Sequence, residues 1–297
     1  MTKSAGVGPR ATGKKMTTVQ TIAVLGAGTM GHGIAHAAAA SGYTTRLYDP
    51  SSTQLEKARD QIEAVFKKAV ELGKASGADA DAGLSRLTTS SDVAKALGGA
   101  DLVIEAAPER MDLKLSLFAD IDRHAPNAIV GTNTSALSIT EMAGTLKKPA
   151  RVAGMHFFNP VHKMKLIEIV RALESSEDTL EAIEEVSRRM GKETVLVRES
   201  PGFITTRVNA SLGNEAFFML QEGVASARDI DKALKLGLNH PMGPFELVDL
   251  VGLDTRLSIL EYLHRSMGEK YRPCPLLVQY VRAGRLGRKV GRGVYDY

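Results

Sequence analysis

Hydrophobic runs of strand length alternate with amphipathic stretches of helix length through the first two thirds of the chain. The runs fall at residues 21–25, 45–48, 100–104 and 128–130. Residues 53–73, between the second and third runs, place Leu55, Ile62 and Phe66 on one face at helical spacing. Strands that alternate with helices predict βαβ units and a mostly parallel, doubly wound sheet.

The pattern becomes helical throughout once the chain passes Ser200-Pro201-Gly202. Helical periodicity covers residues 207–221, 227–236, 244–251, 254–267 and 275–283. Because Pro and Gly interrupt regular structure, this tripeptide is the natural joint between two domains. We therefore expect an α/β domain over residues 20–200 and a smaller all-α domain over residues 201–297.

The first hydrophobic run leads directly into a glycine-rich turn, and a helical stretch follows it. The turn reads Gly26-Ala27-Gly28-Thr29-Met30-Gly31. In this strand–turn–helix context the glycine spacing is typical of a Rossmann-type dinucleotide-binding unit. Gly26 permits the tight turn, Gly28 lets the backbone approach a pyrophosphate, and Gly31 lets the helix lie close to the strand. The alternative, a glycine turn that binds nothing, fits this context poorly.

The second strand of this unit ends at Asp49, 18 residues beyond Gly31. A carboxylate at that position accepts hydrogen bonds from the adenosine ribose and repels a 2′-phosphate. The next residues, Pro50-Ser51-Ser52, offer no arginine to hold such a phosphate. The sequence therefore predicts NAD rather than NADP as the cofactor.

Further polar residues follow the later strands of the predicted sheet. Glu109 and Lys114 come after the third run, and Asn133 and Ser135 come after the fourth. In doubly wound sheets ligands bind beyond the carboxyl ends of the strands. These four residues are therefore candidates for cofactor contacts, although each of them also suits a helix cap or a turn.

A candidate catalytic pair lies in two strand-like runs around a short polar loop. If residues 151–160 and 164–170 pair as an antiparallel hairpin centred near residue 162, His156 faces Glu168. A carboxylate that fixes the tautomer of an imidazole and stabilises its protonated form creates a general base. A buried His–Glu pair that serves only structure is the alternative, and the neighbouring dinucleotide-binding unit favours catalysis.

Composition and charge narrow the class of protein. Of the 297 residues, 43% are hydrophobic and 24% are charged, as in ordinary globular proteins. The net charge of +4 comes from four basic residues in the first 19 positions, and beyond them 34 basic residues balance 34 acidic ones. A basic surface for nucleic acid is therefore not expected. We interpret residues 1–19 as a disordered leader, with a weak transit peptide or a start at Met16 as alternatives.

Neither membrane association nor a metal site is expected. No apolar run approaches the roughly 18 residues of a membrane span, and no signal peptide is apparent. Cys274, the single cysteine, cannot form an internal disulfide, which is consistent with a cytoplasmic location. His32 and His36 have a metal-like spacing of four, but no third ligand accompanies them, so we expect no metal.

Several separated motifs together identify a family. These are the glycine turn, Asn133-Thr134-Ser135, His156-Phe157-Phe158-Asn159-Pro160, Pro201-Gly202-Phe203 and residues 240–246, which read HPMGPFE. In this order they resemble the 3-hydroxyacyl-CoA dehydrogenases from about residue 20 to the end of the chain. The C-terminal run from Tyr271 is similar to the free-standing bacterial 3-hydroxybutyryl-CoA dehydrogenases.

The resemblance implies NAD-dependent oxidation of an (S)-3-hydroxyacyl-CoA to the 3-oxoacyl-CoA, and the reverse reaction. It implies that His156 is the catalytic base, that Glu168 orients it, and that Ser135 binds the reacting oxygen or the cofactor. It also implies a homodimer that is formed through the second domain. The family positions that contact NAD correspond to Asp49, Glu109, Lys114, Asn159 and Lys289.

The chain departs from the family pattern at two places. Where the family has an asparagine after Pro-Gly-Phe-x-x, this chain has Thr206, and Asn209 on the same helix face is a possible substitute. The usual coenzyme A contacts on the long helix after Asp49 also match poorly, with Val65 and Leu72 near those places. Lys67 and Lys68 on that helix are candidates for contact with the phosphates of the substrate, and the alternative is a solvated basic end that complements the helix dipole.

Three alternatives to a short-chain 3-hydroxyacyl-CoA substrate stay open at this point. One is a related enzyme that acts on 3-hydroxyadipyl-CoA, and another is a dehydrogenase of the same fold that acts on a free hydroxy acid or sugar acid. The third is a non-catalytic protein that binds NAD for a structural purpose. The intact combination of His156, Glu168 and Ser135 favours an enzyme.

Overall fold

The computed structural model describes residues 18–297. The predicted leader, residues 1–19, lies outside the described residues except for its last two positions. Val19 is buried in the hydrophobic core, and the backbone N–H of Gln20 donates to the Asp101 carboxylate at 2.9 Å. The first domain therefore begins no later than Val19.

The first domain contains one eight-stranded sheet. Its strands are β1 (Thr21–Leu25), β2 (Thr44–Tyr48), β3 (Leu87–Ser90), β4 (Leu102–Glu105), β5 (Ile129–Thr132), β6 (Val152–Phe157), β7 (Leu166–Arg171) and β8 (Glu193–Arg198). Their order is β3-β2-β1-β4-β5-β6-β7-β8, and within the described residues β6 and β7 are the only antiparallel neighbours. The predicted doubly wound, mostly parallel sheet is confirmed. The strand order reverses between β1 and β4, which is where such sheets bind ligands.

Helices cover the sheet and form the second domain. Those of the first domain are α1 (Thr29–Ala40), α2 (Ser52–Glu71), α3 (Gly77–Ser85), α4 (Val93–Leu97), α5 (Met111–His124), α6 (Ile139–Ala143) and α7 (Glu177–Arg189). Those of the second are α8 (Thr205–Gln221), α9 (Ala227–Gly237), α10 (Pro244–Val251), α11 (Leu253–Met267) and α12 (Pro275–Arg282). Each of the five helices predicted for the second domain agrees with the structure to within two residues at either end.

Three hydrophobic cores hold these layers together. One face of the sheet packs against α1, α2 and α7, and the other face packs against α5 and α6. A third core, which includes Phe217, Phe245 and Leu260, lies inside the second domain. Phe203, two residues before α8, belongs to the core of the sheet, so the joint between the domains is anchored on the first domain. No helix within residues 18–297 has the length and apolar composition needed to cross a membrane.

Candidate active site and cofactor cleft

The glycine turn after β1 is shaped by close backbone contacts. Gly26 has a φ of 104°, and a Cβ atom on it would lie 2.7 Å from the carbonyl oxygen of Ala106. A Cβ atom on Gly31 would lie 1.7 Å from the carbonyl oxygen of Gly26, so only glycine lets α1 approach the turn. No atom of residues 18–297 lies within 4 Å of the corresponding position on Gly28. The turn therefore leaves open space at the place where a phosphate would approach the backbone.

The N-terminus of α1 opens into a cleft of about 620 Å³. No side chain caps this helix and its first turn contains no acidic residue, so its N–H groups and its dipole are available to an anion. The lining residues are Gly26, Gly28, Thr29, Met30, Asp49, Gln54, Ala106, Ala107, Pro108, Glu109, Asn133 and Ser135. This chemistry fits a dinucleotide, with its pyrophosphate at the helix N-terminus.

Asp49 is fixed at the rim of this cleft by backbone contacts. Its Oδ2 accepts a hydrogen bond from the N–H of Ala27 at 3.0 Å, and its Oδ1 accepts one from Ser51 at 3.0 Å. Gln54, which the sequence analysis did not single out, donates to the carbonyl oxygen of Ala27 at 2.8 Å. The carboxylate is therefore held at the end of β2 in the position that the NAD prediction requires.

The structure places Lys114 beneath the lining of the cleft. Its side chain is 1% exposed and does not line the cleft, because its Nζ is bound to the Glu105 carboxylate at 2.7 and 2.9 Å. Lys114 also lies 3.5 Å from Glu109, whose Oε1 accepts from the backbone N–H groups of Ser135 and Ala136. Lys114 therefore supports the wall of the cleft from below, and Glu105 is the partner that the sequence analysis missed.

The hairpin formed by β6 and β7 brings the candidate catalytic pair together. His156 and Glu168 are directly opposite each other in the ladder, and the His156 Nδ1 lies 2.7 Å from the Glu168 Oε2. Both side chains are buried, and the imidazole contacts the rings of Phe158 and Phe203 at centroid distances of 4.7 and 5.7 Å. Because a carboxylate can only accept at Nδ1, the Nε2 atom of His156 is left as the free base.

Glu168 also binds the start of the second domain. Its Oε1 accepts from the N–H groups of Ile204 at 3.2 Å and Thr205 at 2.9 Å, and its Oε2 accepts from the Thr205 hydroxyl at 3.1 Å. Burial alone would raise the pKa of Glu168, but the hydrogen bonds from His156 and Thr205 outweigh it and hold the pKa below its ordinary value of 4.5. The pair is therefore built from both domains.

This contact involves Thr205, the neighbour of the predicted residue Thr206. Thr205 touches Glu168, whereas Thr206 and Asn209 make no hydrogen bond to His156 or Glu168 within residues 18–297. Thr206 follows Thr205 by one helical position, so its side chain points about 100° away around α8. The positive φ values of Gly202 (72°) and Phe203 (51°) determine the direction in which the chain enters α8, and so which side chains of its first turn face Glu168.

Asn133 links the cofactor cleft to the catalytic strand. It lines the cleft, and its Oδ1 accepts a hydrogen bond from the N–H of Phe157 at 2.8 Å. Phe157 is the residue after His156, so this bond fixes the imidazole relative to the cleft wall. The Ser135 hydroxyl, at the same strand end, has no hydrogen-bond partner within the described residues and is free for a ligand.

The structure does not bring four of the predicted contact residues into the cleft. Asn159 is exposed in the loop after β6, and Lys289 forms an ion pair with Asp254 at 2.6 Å in the second domain. Lys67 and Lys68 lie on the exposed face of α2, where Lys68 pairs with Glu71 at 3.0 Å. Residues 18–297 contain no group of three or more potential metal ligands.

Replacement of Thr205 by valine tests the contact between α8 and Glu168. We expect kcat/KM to fall roughly 2- to 10-fold, the effect of one net hydrogen bond. Steady-state kinetics at a single pH would measure this loss, and Thr205→Ser should restore the activity. A larger loss in Thr206→Val than in Thr205→Val would contradict this assignment.

Comparison with known proteins shows the family to which the chain belongs. The models of the 3-hydroxyacyl-CoA dehydrogenase NAD binding domain and C-terminal domain match residues 21–200 and 202–297. A probable 3-hydroxybutyryl-CoA dehydrogenase of Bacillus subtilis is 45% identical over 94% of this chain and 98% of its own length. The 3-hydroxyadipyl-CoA dehydrogenase of Escherichia coli is 43% identical over 95% of this chain, which spans 60% of that protein.

The solved structures agree with these relatives. The crystal structure of (S)-3-hydroxybutyryl-CoA dehydrogenase from Ralstonia eutropha superimposes with a TM-score of 0.90 at 41% identity. The match covers 94% of this chain and 99% of that structure.

Proposed function

The chain belongs to the 3-hydroxyacyl-CoA dehydrogenase family and is an NAD-dependent oxidoreductase, and from this premise we propose its reaction and its site. It oxidises a short-chain (S)-3-hydroxyacyl-CoA, of the size of 3-hydroxybutanoyl-CoA, to the 3-oxoacyl-CoA and also catalyses the reverse reduction. The observation that carries this proposal is the buried His156–Glu168 pair, joined at 2.7 Å beside the cofactor cleft.

The residues of the chain provide the proton chemistry of this reaction. The glycine turn and Asp49 would hold NAD in the cleft, where it would supply the acceptor for the hydride from C3 of the substrate. His156 takes the hydroxyl proton at Nε2, and Glu168 stabilises the resulting imidazolium at Nδ1. The Ser135 hydroxyl donates to the reacting oxygen, and Thr205 holds Glu168 in place. In the reverse direction His156 returns the proton to the oxygen of the 3-oxo group.

We propose further that the protein acts in the cytoplasm as a homodimer formed through the second domain. Large apolar side chains on that domain support this proposal: Val208, Leu236 and Leu238 are 63%, 77% and 63% exposed. Exposed apolar groups of this number favour a protein partner. Size-exclusion chromatography with light scattering tests the proposal, and a monomer at micromolar concentration would contradict it.

The decisive assay follows nicotinamide absorbance with purified protein, NADH and acetoacetyl-CoA. We expect rapid NADH oxidation with the thioester, little with free acetoacetate, and slower turnover when NADPH replaces NADH, because Asp49 repels a 2′-phosphate. Turnover of the free acid without turnover of the thioester would replace this proposal by a hydroxy-acid dehydrogenase. The 3-hydroxyadipyl-CoA relative makes that thioester the second substrate to assay in the oxidative direction.

A further inference from the structure

Another cavity, of about 360 Å³, lies in the second domain between α9, the start of α10 and residues 288–297. We call it the arginine cavity, because the side chains of Arg228 and Arg288 line it. Neither the proposed reaction nor the proposed dimer uses this cavity, and none of its lining residues lines the cofactor cleft. Besides the two arginines, it is lined by Asp231, Lys235, Glu246, Tyr295 and Tyr297.

The acidic side chains of this cavity are bound to other groups. Asp231 is 2% exposed, and it accepts hydrogen bonds from two N–H groups at the start of α10, at 2.8 and 3.1 Å, and from the Tyr295 hydroxyl at 2.7 Å. Glu246 forms an ion pair with Lys235 at 2.7 Å and accepts from the N–H of Gly243 at 3.0 Å. Neither carboxylate therefore forms an ion pair with an arginine of the cavity.

Each arginine of the cavity lies over a tyrosine ring. The guanidinium carbon of Arg228 is 5.7 Å from the ring centroid of Tyr295, and that of Arg288 is 5.1 Å from the ring centroid of Tyr297. Neither arginine forms an ion pair within residues 18–297, whereas Arg292, in the same segment as Arg288, has an acidic partner at 3.2 Å. Two uncompensated like charges at one cavity repel each other, and a bound anion would relieve this repulsion.

The two tyrosines are held in place by another buried carboxylate. Asp249 accepts from the backbone N–H of Tyr295 at 2.9 Å and from the Tyr297 hydroxyl at 3.0 Å. A Cβ atom on Gly293 would overlap the Asp249 carboxylate, so this segment of the chain lies directly on it. A guanidinium that rests on a fixed ring loses little freedom when it binds a ligand. The arginine cavity is therefore organised before a ligand binds.

We infer that the arginine cavity binds a phosphate group, either as inorganic phosphate or as the phosphoryl group of a small metabolite. The planar guanidinium of arginine forms paired hydrogen bonds to phosphate oxygens. A phosphate dianion compensates both arginines at once, whereas a monocarboxylate compensates only one. The cavity volume lies at the lower end of the range for small-molecule sites, roughly 300–1,000 Å³, which favours a small ligand over a macromolecule. This inference does not depend on the proposed function, since the arginine cavity and the cofactor cleft share no residue.

The arginine cavity is also distinct from the surface proposed for the dimer. Arg228 and Lys235 are seven positions apart and lie on one face of α9. Leu236, which belongs to the proposed dimer surface, follows Lys235 by one position and points about 100° away around the helix. A dimer that buries Leu236 therefore does not require the cavity to be covered.

Isothermal titration calorimetry with inorganic phosphate tests the inference, on the full chain saturated with NADH so that the cofactor cleft is occupied. We expect one phosphate per chain and an affinity that falls as salt is added. The double variant Arg228→Met, Arg288→Met removes both guanidinium groups and keeps much of their aliphatic bulk. Its Kd for phosphate should be higher by a factor of at least about 10, the effect of losing one or more charge-assisted hydrogen bonds. Its affinity for NADH should equal that of the unaltered chain, because neither arginine lines the cofactor cleft.

The matched control is Arg265→Met, which removes an exposed arginine in the last turn of α11 that does not line the cavity. Its Kd for phosphate should equal that of the unaltered chain. If the double variant does not fold, Arg228→Lys keeps the charge without the planar fork and should also weaken binding. Absence of saturable phosphate binding to the unaltered chain would overturn the inference, as would a Kd that the double variant leaves unchanged or that Arg265→Met raises equally.

A titration with AMP, also in the presence of saturating NADH, distinguishes the two sources of the phosphate group. Tighter binding of AMP than of inorganic phosphate, lost in the double variant, would identify a phosphorylated metabolite as the ligand. An affinity for AMP that is no higher than that for phosphate would identify free phosphate, because the nucleoside then adds no contact.

Discussion

His156→Ala is expected to lower kcat for reduction of acetoacetyl-CoA by a factor of about 10³ while the affinity for NADH stays the same. General base catalysis by a positioned histidine contributes about 10² to 10⁴ in rate. The imidazole is held at 2.7 Å by Glu168 and does not line the cofactor cleft. Removal of the ring therefore removes proton transfer without disturbing the glycine turn or Asp49. Stopped-flow turnover and fluorescence titration with NADH measure the two quantities separately.

His264→Ala is the matched control, because that histidine, in the last turn of α11, pairs with Glu269 and does not line the cleft. It should retain full turnover. Far-UV circular dichroism and the thermal midpoint should be similar for both variants, which excludes unfolding as the cause. Full activity in His156→Ala would remove the pair from the mechanism and favour a non-catalytic NAD-binding protein. Loss of NADH binding together with turnover would show that the ring supports the fold.

Local sequence determines much of this site. The glycine turn was predictable because its spacing is a local pattern: a Cβ atom on Gly31 would meet the carbonyl oxygen of Gly26, five residues earlier. The contact of Gly26 with Ala106 comes from the neighbouring strand and was not predictable in this way. The His156–Glu168 pairing was predictable because the two strands flank one short loop, and a hairpin centred on residue 162 sets these two residues opposite each other. Once these two features are placed at the carboxyl ends of parallel strands, the position of the cofactor cleft follows from the topology of the sheet.

The contacts that the sequence did not reveal depend on tertiary structure. A lysine that follows the end of a strand can contact a cofactor or form a buried ion pair, and the sequence does not distinguish the two. The packing of α5 against the sheet directs Lys114 toward Glu105. The choice between Thr205 and Thr206 depends on the phase in which α8 starts. The left-handed backbone of Gly202 and Phe203 sets the rotation of α8 about its axis. Hydrophobic periodicity in the sequence does not reveal this conformation.

The elements that the sequence analysis left out have a similar explanation. Residues 74–99 and 171–200 received no assignment, although they contain α3, β3, α4, α7 and β8. The edge strand β8 is exposed at most of its positions, so it lacks the apolar run by which buried strands are identified. The strands β3 and β8 form the two edges of the sheet, where fewer side chains are buried and fewer of them need to be apolar.

Glu168 is the position where one substitution should affect both catalysis and stability. Glu168→Gln keeps the volume of the side chain but removes its charge, and we expect kcat to fall about 100-fold because the imidazolium of His156 loses its stabilising partner. Glu168→Ala also leaves the N–H groups of Ile204 and Thr205 without an acceptor. Its free energy of unfolding at pH 7 should therefore be lower by about 3 kcal/mol.

The pH dependence of stability distinguishes the charge of Glu168 from its shape. Its pKa is held below 4.5 in the folded chain, so folding favours the carboxylate. The stabilisation it gives is therefore fully present above its unfolded pKa near 4.5 and is lost as the pH falls through the lower, folded value.

The free energy of unfolding of the unaltered chain should exceed that of Glu168→Gln by about 2 kcal/mol at pH 7. Urea titrations at pH 7, 5 and 3.5 measure this difference, which should persist at pH 5 and shrink at pH 3.5. A difference that is constant over the three pH values would mean that the carboxylate contributes through its shape and hydrogen bonds alone. In that case the catalytic loss in Glu168→Gln would have to be explained by the orientation of His156 rather than by its charge.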